Sequence, residues 1–184
     1  MARPLLVNFA GGDDGEWDIT RLTAVVGAGL STPSRLATLE GEDAPVRTAE
    51  WCLRGVTSNE RYVERSERDE LVGRQPPLRR DTATRAALIP IRKSEVWWEL
   101  TQDERREVFE QRSSHIAVGL EYLPAIARRL HHSRDLGEEF DFLTWFEFAP
   151  REAHAFEELV GRLRETEEWS YVEREIDIRL SRRT

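Results

Sequence analysis

The sequence predicts an α+β fold of the ferredoxin-like kind, an antiparallel sheet with helices on one face, and three features of its second half carry that prediction. Phe140 to Phe148 (FDFLTWFEF) is an apolar and aromatic run of strand length, and Pro150 stops it. Residues 152–165 place Ala153, Phe156, Leu159, Val160 and Leu163 on one helical stripe. The closing stretch then alternates: Val172, Ile176, Ile178 and Leu180 are expected inward, and Glu173, Glu175, Asp177 and Arg179 outward.

The other elements follow from local signals. Arg85 to Ile91 (RAALIPI) is a buried strand candidate. Thr101-Gln-Asp-Glu104 is a capping box, in which hydroxyl and carboxylate each satisfy a free backbone N–H, and its helix should run toward Ser113 or His115. A second helix is expected from about Tyr122 to His132, with Pro124 tolerated in its first turn. The second half therefore reads β–α–α–β–α–β. In the first half, Leu5 to Phe9, Leu36 to Leu39 and Trp51 to Val56 are strand candidates, and Gly11 to Gly15 is a turn cluster. Residues 59–75 carry Tyr62, Val63, Leu71 and Val72 at spacings a helix can use, until Gln75-Pro76-Pro77 ends it. The run to Thr84 reads as an exposed linker, which divides the chain into residues 1–84 and 85–184.

Composition bounds the function. A net charge of −8 argues against nucleic-acid binding, which needs a basic face to displace counterions. An anionic substrate must then be drawn in by a local cation rather than by the field of the whole molecule. No stretch approaches the roughly 20 apolar residues of a membrane helix, and the N-terminus lacks a secretory pattern, so the cytoplasm is the expected compartment. One cysteine, Cys52, leaves no internal disulfide, thiolate zinc site or Cys-x-x-Cys-His attachment. Metal-ligand spacing is missing among the four histidines: His131 and His132 are adjacent and point apart, and His154 falls near the surface of a helix. On spacing alone a lone histidine such as His115 is more often structural than a ligand.

A resemblance lifts His115 above that. Lys93-x-x-x-Trp97-Trp98, then His115 followed thirteen residues later by Arg128, then Glu168 in Thr-Glu-Glu-Trp, resembles the chlorite dismutase family. Phe142 to Glu147 (FLTWFE) and Ala155-Phe156 are similar to that family's framework, and the match runs from about Ile89 to the C-terminus. The short length resembles the compact two-subunit branch, which implies a dimeric α/β-barrel with a reduced N-terminal half, assembled as a homodimer.

The resemblance implies a haem b enzyme that converts chlorite to chloride and dioxygen. One oxygen atom of chlorite would pass to the iron, and the transient hypochlorite would be held for O–O bond formation. His115 would be the proximal iron ligand, and Glu168 would accept a hydrogen bond from its other ring nitrogen. Lys93 and Trp97 would order the proximal network and the propionate side, Tyr62 would help hold a propionate, and Trp98 would lie toward the subunit interface. Arg128, on the second helix, would be the distal cation, with Leu123 among its apolar neighbours and Gln75 hydrogen-bonded to it. Arginine suits the task because it stays protonated and donates several hydrogen bonds in a fixed fork. Related alternatives are a coproheme decarboxylase, which usually lacks the distal arginine, and a haem-free dimeric α/β-barrel binding protein. Dye-decolourising peroxidases share the fold, but their aspartate–arginine motif has no clear match here.

Overall fold

The computed structural model describes residues 4–41, 49–57 and 62–182. Eight strands close into one barrel: β1 (Leu6–Gly12), β2 (Trp17–Val26), β3 (Arg35–Glu40), β4 (Trp51–Thr57), β5 (Arg85–Lys93), β6 (Ala127–His132), β7 (Phe142–Phe148) and β8 (Val172–Arg182). Around the barrel the order is β1-β3-β2-β8-β5-β7-β6-β4. The first four strands thus form one contiguous block (β4-β1-β3-β2) and the last four another (β8-β5-β7-β6) in the same pattern. That pattern is the strand order of a ferredoxin-like sheet, and the two blocks join at β2–β8 and β4–β6.

Helices distinguish the blocks. The second carries α2 (Glu95–Glu99), α3 (Gln102–Arg106), a π-helix (Glu107–Arg112) and α4 (His115–Glu121) between β5 and β6, then α5 (Ala153–Arg164) between β7 and β8. In the first block, β1 passes to β2 through residues 13–16 without a helix. Its α1 (Arg65–Arg74) follows β4 and has one buried side chain, Leu71, while Val72 is 70% exposed. Residues 59–61 of the expected helix lie outside the described residues.

Two apolar layers hold the fold. Phe9, Trp17, Leu36, Leu88, Trp145, Ile178 and their neighbours fill the barrel. On the outer face of the second block, Phe156, Leu159, Val160 and Leu163 of α5 cover Ala87, Ile89, Phe146 and Phe148. Phe156 is fully buried and stacks on Phe148 with ring centroids 4.5 Å apart, so Phe156→Ala should cost about 3–5 kcal/mol. Ala153, expected on that stripe, is exposed.

Three expectations need correction. Residues 127–132 form strand β6, not a helix, because six residues of that segment pair with β7 and its end pairs with β4. His131 and His132 still point apart, but across a strand. His115 does not end the helix begun by the Thr101–Glu104 capping box; the chain breaks at Ser113-Ser114, and His115 starts α4. Finally, Glu175, Asp177 and Arg179 are not outward in solvent but buried, because β8 is flanked by β2 and β5 and roofed by α5. Their charges are matched under that roof. Arg164 reaches Glu175 at 2.5 Å and Asp177 at 2.9 Å, and Arg179 bridges Asp177 and Glu157. Burying charges is tolerable only with such pairing.

Candidate functional site

A cleft opens on the outer face of the second block, between the sheet, the α4 region and the segment around α1. It encloses about 1630 Å³ of space between protein atoms, its open mouth included. His115, Lys93, Trp97 and Glu168 line it, and so do Tyr62, Gln75, Leu123 and Arg128. Residues from five separated segments are brought together here.

The polar centre is a buried relay. Glu168, on the short 3₁₀ turn Glu167–Tyr171 before β8, is 4% exposed. Its Oε2 lies 2.7 Å from Nδ1 of His115, and its Oε1 accepts from Lys93 Nζ at 2.8 Å. Lys93, the last residue of β5, is itself 4% exposed and sits over the Trp97 ring, 4.6 Å from its centroid. Burial alone would push the Glu168 carboxyl up; the charges and hydrogen bonds of His115 and Lys93 outweigh it and hold it down at about 2. With Nδ1 committed to the carboxylate, Nε2 is the ring nitrogen left to bind anything in the cleft.

Side chains that the sequence did not single out complete this wall. Phe109 stacks on the His115 ring at 4.3 Å, and Trp169 lies parallel to it at 6.5 Å while donating to buried Glu175 at 2.8 Å. Ser113 Oγ accepts from the Glu168 amide at 2.9 Å. A π-helix leaves no plain periodicity in a sequence, so Phe109 carries no signal there; Trp169 closes the Thr-Glu-Glu-Trp stretch, but nothing in its spacing assigns it to this wall.

Across β6 the side chains of Arg128, Leu130 and His132 alternate toward the cleft, and Tyr122 and Ile126 add apolar surface near Leu123. The Arg128 guanidinium rests against α4 at Gly119, where a Cβ would lie 3.4 Å from Nη1. Gln75 meets Arg128 at its backbone. As the residue capping α1 beside β6, it donates from Nε2 to the Arg128 main-chain carbonyl at 2.5 Å. Arg80, in the supposed linker, donates to the carbonyls of Pro124 and Ala125, so this run clamps the turn before Arg128. Among the described residues, Tyr62 Oη and Trp97 Nε1 are donors of the cleft buried without a hydrogen-bond partner. No group of three or more His, Cys, Asp or Glu is placed to hold a metal ion, again among the described residues. Trp98 lies outside the cleft, stacked with Phe142 and beneath the Arg134 guanidinium at 4.0 Å.

Fold and site together define an α+β barrel protein of the ferredoxin-like kind, in which a carboxylate-held imidazole and a guanidinium share one largely apolar cleft. Residues 37–184 match the model of the family described as Chlorite dismutase. The crystal structure of a dimeric chlorite dismutase from Nitrobacter winogradskyi is 59% identical, covers 96% of this chain and 99% of that one, and superposes with a TM-score of 0.90. The chlorite dismutase of Candidatus Nitrospira defluvii in complex with imidazole shares the fold at 19% identity, with 96% and 91% coverage and a TM-score of 0.70. A curated relative, the chlorite dismutase of Ideonella dechloratans, is 37% identical over 62 residues, 34% of this chain and 20% of that protein's length. The chain belongs to the chlorite dismutase family.

Proposed function

We propose that this protein is a haem b-dependent chlorite dismutase (chlorite O2-lyase), a homodimer that converts chlorite to chloride and dioxygen. The observation that carries the reading is the His115–Glu168 pair, 2.7 Å apart, in a cleft that also holds Arg128. The residues fit the cofactor. A single imidazole cannot bind a bare metal ion tightly, but it suits an iron whose porphyrin brings the other ligands. The cleft walls are mainly apolar, as a macrocycle requires, and Tyr62 Oη and Trp97 Nε1, buried donors without partners, supply what propionate carboxylates would accept.

When bound, haem b supplies the redox iron that takes one oxygen atom from chlorite. The chain's own residues do the rest. His115 holds the iron through Nε2; Glu168 keeps the imidazole in the Nδ1–H tautomer and raises its basicity, and Lys93 holds Glu168 ionised. Arg128 is the catalytic residue that retains the hypochlorite anion. Attraction to a guanidinium in an apolar cleft is far less screened than in water, and it needs no proton transfer. Leu123 keeps that side apolar, and Gln75 fixes Arg128 through its backbone. Trp98, with exposed Val96 two residues before it, faces the partner subunit.

The test feeds chlorite to haem-loaded protein at an oxygen electrode. One dioxygen per chlorite is expected. Arg128→Ala should retain haem but release hypochlorite to a chlorine-trapping dye and inactivate within fewer turnovers. Unchanged oxygen yield and lifetime in that variant would refute the role of Arg128; no Soret band in wild-type protein would refute the function.

A further inference from the structure

We propose that Glu110 is a positioning residue for His115, fixing the start of the helix that carries the imidazole; the proposal rests on His115 being the iron ligand. α4 begins in an unusual way. An N-cap residue normally has an extended backbone and a side chain that accepts from the first turn. Ser114 has neither: its backbone is left-handed, φ 51° and ψ 35°, and its hydroxyl makes no cap hydrogen bond. The first amides of α4 would then face the protein without acceptors.

Glu110 supplies them from the preceding turn. Its Oε2 accepts from the Ile116 amide at 2.7 Å and its Oε1 from the Ala117 amide at 3.3 Å, while its own carbonyl accepts from Ser114 N at 2.9 Å. The carboxylate also places negative charge at the positive end of the helix. His115 is the first residue of α4, so its ring direction depends on how that first turn is held.

The π-helix explains how one short segment can do this. Its turn is wider by one residue than an α-turn, which moves side chains out of α-helical phase. Three supports result within five residues: Phe109 lies on the imidazole face at 4.3 Å, Glu110 binds the helix start, and Ser113 accepts from the Glu168 amide. Ring, helix and carboxylate partner are all set from residues 109–113. The Glu110 carboxylate holds the Ile116 and Ala117 amides, so its effect on the imidazole is exerted through the backbone.

The experiment compares wild type, Glu110→Gln and Glu110→Ala by transfer of haem to an excess of apoprotein scavenger, by the ferric visible spectrum, and by thermal unfolding of the haem-free chains. Glu110→Ala should lose haem about five- to tenfold faster, the effect of one lost cap, and show a mixture of axial states. Glu110→Gln keeps an acceptor oxygen and should recover part of both, which a mere loss of fold stability would not produce; it also serves if the alanine variant does not fold. Wild-type haem loss and spectrum in both variants would overturn the proposal while leaving His115 as ligand. Wild-type protein whose haem uptake is unaffected by His115→Ala would overturn the reading of the site, and this proposal with it.

Discussion

Replacing Glu168 by glutamine tests the buried relay most directly. The change is isosteric, and its cost follows from what stays behind. The Lys93 ammonium is 4% exposed and loses the negative charge 2.8 Å away, keeping a neutral amide oxygen in its place, the main-chain carbonyl of residue 168 at 3.3 Å and the faces of Trp97 and Trp169 at 4.6 and 5.5 Å. Removing one partner of a buried ion pair costs about 3–5 kcal/mol, and the amide oxygen that remains places the expected loss at the lower end, about 3 kcal/mol. For a chain of this size that is about 6–12 °C in Tm. Adding Lys93→Met removes the stranded charge and should recover most of the loss, so the cycle is strongly non-additive. The assay is equilibrium unfolding in urea at pH 7 on haem-free protein, comparing midpoints at constant slope. A Glu168→Gln cost below about 1 kcal/mol, or additive effects in the double variant, would show that water reaches the pair and that the relay is not a buried one.

Two further outcomes follow from the geometry. His131 sits inside the barrel, 1% exposed, its Nδ1 at 3.0 Å from the Leu143 carbonyl, and burial lowers its pKa to about 4. The unfolded chain takes up the proton first, near the ordinary value of about 6.5, so stability is full above that pH. It falls by about 3 kcal/mol as pH drops toward 4. His131→Gln should flatten this stretch of the stability–pH curve, and an unchanged curve would contradict it. Gly119→Ala should leave Arg128 in place, since the added Cβ meets Nη1 at an ordinary 3.4 Å, and should stabilise α4 by up to about 1 kcal/mol; Gly119→Leu should evict the guanidinium and copy Arg128→Ala at the oxygen electrode.

What the sequence revealed depended on whether one face of an element meets solvent. α5 and β7 were legible because their periodicities are uncomplicated. β8 was placed but turned to the wrong surroundings: alternation of Ile and Leu with Glu, Asp and Arg ordinarily marks a solvent face, and here the charged face is sealed by α5 through Arg164. β6 (ARRLHH) hid its period-2 pattern because both of its faces carry polar side chains, so the strand is fixed by pairing with β7 rather than by its own composition. β2 (WDITRLTAVV) was missed for a related reason, most of its side chains being partly or fully exposed. As for the site, no spacing rule links Tyr62, His115 and Glu168; their grouping came from the family resemblance, and the side chains that hold His115 from the π-helix came only from the structure.

The backbone shows where the fold bears the cost of this site. Among the described residues, three non-glycine positions have positive φ: Tyr62 at 63°, Arg79 at 63° and Ser114 at 51°. Each such residue costs on the order of 1–3 kcal/mol, and each lies on a segment that delivers a cleft side chain. Tyr62 presents its own phenol, Ser114 immediately precedes His115, and Arg79 lies between Gln75 and the Arg80 clamp. Each is also held by a charged side chain acting on nearby backbone. The Arg106 guanidinium, paired with Glu67 at 2.9 Å, donates to the Tyr62 carbonyl. Glu110 binds the amides after Ser114, and buried Glu147 accepts from the Arg79 amide at 2.6 Å. Strain that served only chain reversal would fall to glycine, as it does at Gly27 and Gly137. Its coincidence with residues that need particular side chains, each braced by an ion, means these turns are set by the cleft they border and not by the barrel they leave.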